Sequence, residues 1–229
     1  MGFGQADKAK GDIVAEAYRR ISGPVAYLDE SYQAPNIDVT TSNTFYVFTA
    51  VVVQPEAMED LRAGLEKIAE STWWHTTQAL LDETGRGKTR DMLEYLAEGF
   101  EACVIAYKVP VDEEDHDAEI ARRACYRGLA IELATGVAEK WDPVELLVLE
   151  ERNQSNFRSK DQKNHKELVS EQKIPRNTRL LQTSPKFERL LWLPDVVSSA
   201  YRRTITHTDE TSKFFDIIES QTYFIEPVD

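Results

Sequence analysis

The sequence Val25-Ala26-Tyr27-Leu28-Asp29-Glu30-Ser31 is a short apolar run that ends in two acids. The run is too short for a helix, and Gly23-Pro24 interrupts the chain just before it, so it predicts a buried β-strand. Asp29 and Glu30 would then lie where this strand reaches an edge of the sheet. Carboxylates at such a point either face water in a turn or hold a metal ion, and the run alone leaves both interpretations open.

Further apolar runs are typical of strands and indicate that the first run belongs to a sheet. Thr44–Val53 is rich in β-branched and aromatic residues, and it follows the first run without an intervening helical pattern. Such a connection predicts an antiparallel pair of strands. The other predicted strands are Ala102–Val109, Val144–Leu149 and Thr178–Thr183, and Tyr223–Ile225 is a candidate for a final edge strand. The pattern predicts one α/β domain over residues 1–229.

The segments between these strands carry the apolar spacing of amphipathic helices. Residues 1–11 are expected to be flexible, 32–43 to form a polar loop, and Gly85–Lys88 to form a basic turn. Pro194 suits the first position of a helix, which would put Asp195 in the first turn. Helices are predicted from Asp12, Pro55, Asp91, Asp112, about Asp161 and Pro194, and a last helical patch lies at Phe214–Ile218.

Composition narrows the class of protein. The chain has 229 residues, 41% of them hydrophobic, so a sizeable core is expected. No apolar run approaches the ~20 residues that a membrane span needs, and the polar start lacks the apolar core of a signal peptide. Cys103 and Cys125 lie in apolar and helical patterns and are expected to be reduced. Together these features predict a cytoplasmic protein with no membrane partner.

One basic segment stands out in an acidic chain. The formal net charge is −13, and so acidic a protein should on average repel nucleic acid. From Arg152 to Arg179, however, eight basic residues face only three acids. A solvated loop and helix explains this segment as well as a phosphate-binding surface does. The basic residues are Arg152, Arg158, Lys160, Lys163, Lys166, Lys173, Arg176 and Arg179.

Carboxylates recur where predicted buried elements end. Asp29-Glu30 and Glu150-Glu151 each follow an apolar strand, and Asp195 opens a helix after an apolar approach. Sites in open α/β sheets gather at the ends of strands, so these acids are expected to converge. Converging carboxylates repel one another unless a cation neutralises them, and oxygen ligands favour Mg²⁺ or Mn²⁺ over zinc. Two such ions can promote phosphodiester hydrolysis.

The basic segment would then hold a phosphate backbone close to the acids. Arg152, Arg158 and Lys160 are the predicted phosphate contacts, and Phe157 is a candidate for stacking on a base. Each element also has a simpler explanation. The acids that end the first strand could simply be turn residues, and those that end the fourth strand could form surface ion pairs. Asp195 could be an ordinary acid in the first turn of a helix.

The motifs Tyr27-Leu28-Asp29-Glu30-Ser31 and Leu193-Pro194-Asp195-Val196-Val197, with the second strand, resemble a large prokaryotic family, domain of unknown function 3800. That family typically shows Tyr-x-Asp-Glu-Ser-Gly near its start, and an apolar-x-x-Asp followed by small and apolar residues near its end. The resemblance covers roughly residues 25–205, and the first motif is its most specific part. It implies an RNase H-like α/β fold, with a five-stranded mixed sheet, an antiparallel second strand and helices on both faces.

The resemblance also implies a set of catalytic acids. Asp29 matches the acid of the family's first strand, Glu150 that of the fourth strand, and Asp195 that of the C-terminal helix. Glu150-Glu151-Arg152 is similar to an acid-x-Arg pattern. The two glutamates compete for the position of the acid, because neighbouring residues of a strand face opposite sides and the sequence does not show which one points inward. The candidate metal ligands are Asp29, Glu30, Glu150, Glu151 and Asp195.

Three other positions bear on the resemblance. His75 matches a histidine found after the second strand's helix and is a candidate for proton transfer or substrate contact, although a histidine beside Trp73 and Trp74 is also typical of packing. Asp161 matches a further polar position. Tyr32 stands where the family has glycine, so a differently shaped loop is expected after the first motif.

These features predict a cytoplasmic, metal-dependent nuclease that hydrolyses phosphodiester bonds of DNA or RNA with Mg²⁺ or Mn²⁺. The alternative is a catalytically inactive RNase H-like module that binds a protein or nucleic-acid partner, which the acidic balance and Tyr32 favour. A third hypothesis is an acidic protein that occupies another protein's basic groove. Association with a second copy of the chain, through Trp73 and Trp74, also stays open.

Overall fold

The computed structural model describes residues 5–35 and 44–229, and in them six strands form one mixed sheet. The strands are β1 (Val25–Gln33), β2 (Phe45–Val53), β3 (Ala102–Lys108), β4 (Leu146–Glu150), β5 (Arg179–Thr183) and β6 (Thr222–Ile225). The α-helices are α1 (Gln5–Tyr18), α2 (Met58–Ala69), α3 (Thr76–Ala79), α4 (Glu83–Ala97), α5 (Glu119–Thr135), α6 (Ser155–Ser170) and α7 (Trp192–Thr206). Short 3₁₀ helices cover Pro55–Ala57, Arg189–Leu191, Glu210–Ile217 and Glu219–Gln221.

Strand β1 lies inside the sheet, whose order is β5-β4-β1-β2-β3-β6. It runs antiparallel to β2 along its whole length and parallel to β4 from Val25 to Leu28. The second strand is antiparallel to both of its neighbours, as the sequence predicted. The predicted number of five strands was wrong for the described residues, because β6 pairs with β3 in parallel and adds a sixth strand at the edge.

Helices cover both faces of the sheet, which explains why the first strands are continuous apolar runs rather than alternating ones. On one face, Val25 and Tyr27 of β1 pack with apolar residues of α2, α4 and α7. On the other face, Ala26 and Leu28 pack with apolar residues of α5. We call these the α7 face and the α5 face. The predicted mixed α/β architecture is therefore confirmed.

The first strand extends further than its sequence suggests. The polar loop was expected to begin at Tyr32, but β1 continues to Gln33, which pairs with Phe45. The reason is a cross-strand contact, because the ring of Tyr32 stacks on that of Tyr46 with centroids 5.5 Å apart. Of the predicted loop, residues 36–43 lie outside the described residues.

Two segments for which the sequence predicted no helix are helical. Helix α1 begins at Gln5, so residues 5–11 have a helical backbone, and residues 1–4 lie outside the described residues. Gly85–Lys88 belongs to α4. The residue just before this helix is Asp82, whose side chain caps it by accepting a hydrogen bond from the Gly85 N–H at 2.8 Å. Glycine is needed at position 85, since a Cβ there would lie 2.0 Å from the carbonyl oxygen of Ala79.

Helix α5 begins at Glu119 and not in the acidic run at Asp112. The carboxylate of Asp115 instead accepts hydrogen bonds from the N–H groups of Ile120 at 3.1 Å and Ala121 at 2.8 Å. The run was expected to be the solvated start of the helix. Asp115 is in fact buried, because it satisfies N–H groups that the first helical turn leaves free.

Helices α6 and α7 both begin earlier than predicted. Helix α6 begins at Ser155 rather than about Asp161, and α7 begins at Trp192, so that Pro194 is its third residue. Asp195 lies in the first turn of α7, as predicted. Among the described residues, no helix has both the length and the apolar character needed to cross a membrane.

Candidate functional site

One cavity brings together three acids that lie far apart in the sequence. It has a volume of about 870 Å³, and Asp29, Glu150 and Asp195 all line it. These acids come from β1, the last residue of β4 and the first turn of α7. The residues that line it also include Glu30, Tyr32, Trp73, His75, Glu151, Arg152, Phe157 and Trp192.

Strand register places Asp29 beside Glu150. Strands β1 and β4 are parallel with Leu28 paired to Leu149, so the two acids are the next residues on neighbouring strands. The residues two positions earlier in each strand belong to the core on the α7 face. Since side chains alternate along a strand, both carboxylates point to that face, where α7 packs. Of the two glutamates at the end of β4, Glu150 is therefore the one whose side chain lies on the same face as that of Asp29.

The neighbouring acids Glu30 and Glu151 are engaged in ion pairs. The carboxylate of Glu30 lies 2.5 Å from Nη1 of Arg122, on the α5 face of the sheet. The carboxylate of Glu151, just beyond the end of β4, lies 2.5 Å from Nζ of Lys10 on α1. Both acids line the cavity, but each already has a cation beside it.

Asp195 is held in place by a threonine that the sequence did not single out. Its Oδ2 accepts hydrogen bonds from the backbone N–H of Thr76 at 3.1 Å and from the Thr76 hydroxyl at 2.7 Å. The Thr76 hydroxyl in turn accepts a hydrogen bond from Nε1 of Trp74 at 2.9 Å. Thr76 is fully buried, so this chain of hydrogen bonds fixes the orientation of the Asp195 carboxylate.

Replacing Thr76 by Val is expected to lower the free energy of unfolding by about 1–3 kcal/mol, because a charged acceptor and the Trp74 indole both lose a buried partner. Urea unfolding measures the change. The control is Thr77→Val, at the exposed neighbouring position, which should stay within about 0.5 kcal/mol of the wild type. Equal losses in the two variants would contradict the role given to Thr76.

Burial raises the pKa of each of the three acids that line the cavity, and neighbouring carboxylates add to the rise at two of them. Burial, followed by the charges of Glu150 and Asp195, raises the pKa of Asp29 well above its usual range. Burial and the charges of Asp195 and Glu30 raise the pKa of Glu150 to about 7. Burial also raises the pKa of Asp195, and the hydrogen bonds from Thr76 counteract part of that rise. The cavity therefore has carboxylates that an added positive charge would stabilise in their ionised form.

As the side chains stand, no three His, Cys, Asp or Glu residues within 5–35 and 44–229 form a group that could hold a metal ion. Two polar groups near the acids are nevertheless unused. The hydroxyl of Thr49, which is opposite Asp29 in the sheet, and Nε1 of Trp192 are buried and lack a hydrogen-bond partner among the described residues. A buried polar group without a hydrogen-bond partner lowers the stability of the folded protein, unless a ligand or a water molecule bonds to it.

The raised pKa of Glu150 predicts a pH-dependent stability in the absence of metal. A folded-state pKa of about 7, against an ordinary value of 4.5, means that the folded protein binds this proton more tightly than the unfolded chain. The resulting stabilisation is complete below pH 4.5 and is lost as the pH rises through 7. Its size is at most about 3 kcal/mol.

Urea unfolding in EDTA at pH 5 and pH 8 tests this dependence. The loss of unfolding free energy between the two pH values should be smaller in Glu150→Gln than in the wild type, because Gln does not titrate. Glu94→Gln, a change at an exposed position of α4, serves as control and should keep the wild-type loss. If Glu150→Gln also keeps it, the proton assigned to Glu150 is held elsewhere.

A buried arginine connects the site to the helices of the α5 face. Nη1 of Arg122 lies beside Glu30 and donates to the Tyr46 hydroxyl at 2.9 Å. Nε and Nη2 donate to the two carboxylate oxygens of Asp161 at 2.8 and 3.0 Å. Its guanidinium also lies over the ring of Phe48, 5.1 Å from the centroid. Asp161, a position matched by the family resemblance, is therefore a partner of Arg122.

The three basic residues expected to contact phosphate lie at different places. Arg152 lines the cavity, where it pairs with Glu119 and stacks on Phe157, 4.0 Å from the ring centroid. Nζ of Lys160 lies 3.2 Å from Glu119, in a groove beside α5. Arg158 lines a further groove along α6 and donates to the backbone oxygen of Arg152 at 2.6 Å. The structure brings only Arg152 of these three to the acids.

The mouth of the cavity is rich in exposed aromatic side chains. Trp73 is 56% exposed and Tyr32 is 50% exposed, and both line the cavity. The exposed ring of His75 lies against that of Trp73, with centroids 6.1 Å apart. Trp74, in contrast, is buried in the core. Position in the sequence could not separate these two tryptophans, because which one is buried depends on the packing of the loop before α3.

Comparison with known proteins assigns no family to this chain. No model of a known protein family matches it, and no curated protein matches it significantly. The geometry of the cavity therefore carries the functional argument.

Proposed function

We propose that this protein is a metal-dependent nuclease on an RNase H-like scaffold, which hydrolyses phosphodiester bonds of nucleic acid. The observation that carries the proposal is the convergence of Asp29, Glu150 and Asp195 in one cavity, where burial raises all three pKa values and neighbouring carboxylates raise those of Asp29 and Glu150 further. Charged carboxylates collected at such a place call for a compensating cation.

The sheet supports the RNase H-like part of the proposal. Its first five strands have the order β5-β4-β1-β2-β3, and only β2 is antiparallel within that set. A mixed sheet whose second strand is antiparallel is what the resemblance at Tyr27–Ser31 implies. Strand β6 extends the sheet beyond β3, away from the acids.

The donor set suits Mg²⁺ or Mn²⁺. Asp29, Glu150 and Asp195 would hold one or two such ions, since all three offer the hard oxygen ligands that these cations prefer. Glu30 and Glu151 would assist, and each would have to share its carboxylate with the cation already beside it. When bound, the ions supply an activated water and stabilise the charge on the leaving oxygen.

The chain's own residues would orient the reaction. The hydrogen bonds from Thr76 keep Asp195 aimed into the cavity, and Arg152 presents a guanidinium to a phosphate at its rim. His75, which is exposed and lines the cavity, would contact substrate or accept a proton.

A direct assay tests the proposal. Purified protein is incubated with labelled single-stranded and double-stranded DNA and RNA, in Mn²⁺, in Mg²⁺ or in EDTA. We expect cleavage with the metals and none in EDTA. Glu150→Gln should lose at least about 90% of the activity, because even partners of a metal ligand contribute about 10-fold or more. No cleavage under any condition, or equal cleavage by the variant, would overturn the proposal.

One observation favours a second candidate, a catalytically inactive module of the same fold that binds a protein or nucleic-acid partner. No three potential ligands among the described residues are now arranged to hold a metal ion. This candidate predicts that millimolar Mn²⁺ leaves the melting temperature unchanged, whereas a metal site predicts a rise.

A further inference from the structure

We infer that the substrate of this cavity is single-stranded nucleic acid, whose unstacked bases lie against an aromatic rim formed by Tyr32, Trp73 and Phe157. The inference rests on the proposed nuclease function, and it specifies the substrate class of the same site. All three side chains line the cavity that contains Asp29 and Glu150.

Two of the rim residues expose large aromatic faces next to the acids. About half of the surface of Tyr32 and of Trp73 is accessible. Tyr32 is also held in a fixed orientation, because its ring stacks on the buried ring of Tyr46. A face that is accessible, apolar and already ordered stacks on a flat ring at little further cost in conformational entropy.

The third residue combines an aromatic face with positive charge. Phe157 is partly exposed on α6, and the guanidinium of Arg152 lies 4.0 Å from its ring centroid. Nζ of Lys160 lies 4.9 Å from the same centroid. A base that stacks beside Phe157 would therefore bring its phosphate close to these cations, which is how single-strand grooves combine stacking and charge.

The charge balance of the protein favours single strands over duplexes. Duplex binding depends mainly on phosphate contacts, and a chain of net charge −13 repels phosphates outside its few basic patches. Bases in a duplex are stacked on each other and cannot reach the rim. A single strand can instead gain affinity from base stacking, which does not require a basic surface.

Binding is tested with a fluorescein-labelled 12-nucleotide deoxythymidine strand and with a duplex of the same length. Fluorescence anisotropy is measured in Ca²⁺, which takes oxygen ligands as Mg²⁺ does, and a gel of the recovered strand checks that it is intact. We expect the single strand to bind at least about tenfold more tightly than the duplex. Trp73→Ala should weaken single-strand binding about tenfold, the scale of one lost stacked base.

Two variants separate stacking from a change in folding. Trp73→Phe keeps an aromatic face and should restore most of the affinity. Leu81→Ala removes another highly exposed apolar side chain, outside the cavity lining, and should bind like the wild type. Wild-type affinity in Trp73→Ala, or equal binding of duplex and single strand, would overturn the inference. So would a dimer of the wild type that Trp73→Ala dissociates, since the rim would then join two copies.

This test and that of the proposed function can fail separately. If the single strand binds through Trp73 but is not cleaved in Mn²⁺, the nuclease proposal fails and the aromatic rim stands. If nucleic acid is cleaved in Mn²⁺ but Trp73→Ala binds normally, the nuclease proposal stands and the single-strand inference fails.

Discussion

Replacing Asp29 by Asn is expected to abolish metal-dependent cleavage while leaving the metal-free protein at least as stable as the wild type. Asp29 lines the cavity, and its pKa is raised by burial and by Glu150 and Asp195. A neutral amide of the same shape removes the cost of ionising a buried carboxyl group, so in EDTA at pH 8 the melting temperature should stay the same or rise. Cleavage in Mn²⁺ should fall at least about 100-fold, since even partners of metal ligands contribute about 10- to 100-fold.

Opposite effects on activity and stability distinguish a functional carboxylate from a structural one. The matched control is Asp91→Asn, which makes the same change at an exposed position of α4 and should alter neither quantity. If Asp29→Asn melts well below the wild type in EDTA, the carboxylate is a structural group. If the variant keeps full cleavage, the metal site does not include Asp29.

Replacing Arg122 by Leu is expected to cause the largest loss of stability, about 3–5 kcal/mol. Arg122 is 3% exposed, and its guanidinium is the partner of Glu30, Asp161 and Tyr46. Removing it leaves two carboxylates without their cation in a place that water barely reaches. The free energy of unfolding from urea titrations measures the loss.

The neighbouring arginine provides the control for this prediction. Arg123 pairs with Glu167 at the surface, and its side chain is 55% exposed, so Arg123→Leu should cost less than about 1 kcal/mol. In Arg122→Leu, a second change of Asp161 to Leu should recover part of the lost stability, because one uncompensated charge is removed. Similar losses in Arg122→Leu and Arg123→Leu would contradict the structural role of the buried network.

The sheet could be largely predicted from sequence because its strands are buried on both faces. Runs such as Thr44–Val53 are then continuously apolar and easy to recognise. Boundaries that depend on tertiary contacts were harder to predict. Tyr32 extends β1 because Tyr46 lies across from it, and residue 85 of α4 is a glycine because the chain at Ala79 approaches too closely for a side chain. Strand β6 has only four residues, too few for a clear alternation, so the sequence offered Tyr223–Ile225 only as a candidate strand outside the predicted five.

The acids of the site could be located because each follows an apolar element, and strand ends collect at one side of a sheet. Their supporting residues carried no such signal. Thr76 lies 119 residues before Asp195, and Arg122 lies 39 residues before Asp161, so neither pairing is visible in local sequence. The basic segment predicted three phosphate contacts beside the acids. The structure brings only Arg152 of these three to the cavity, because Arg158 and Lys160 line other grooves.

Titration of metal-free protein with Mn²⁺, followed by electron paramagnetic resonance of the free ion, tests most directly whether the three carboxylates form a metal site. Saturable binding of one or two ions is predicted for the wild type and for Asp91→Asn, together with a rise in melting temperature. Asp29→Asn should lose the binding. Wild-type protein that binds no Mn²⁺ at millimolar concentration, and whose melting temperature does not change, would contradict the proposed site.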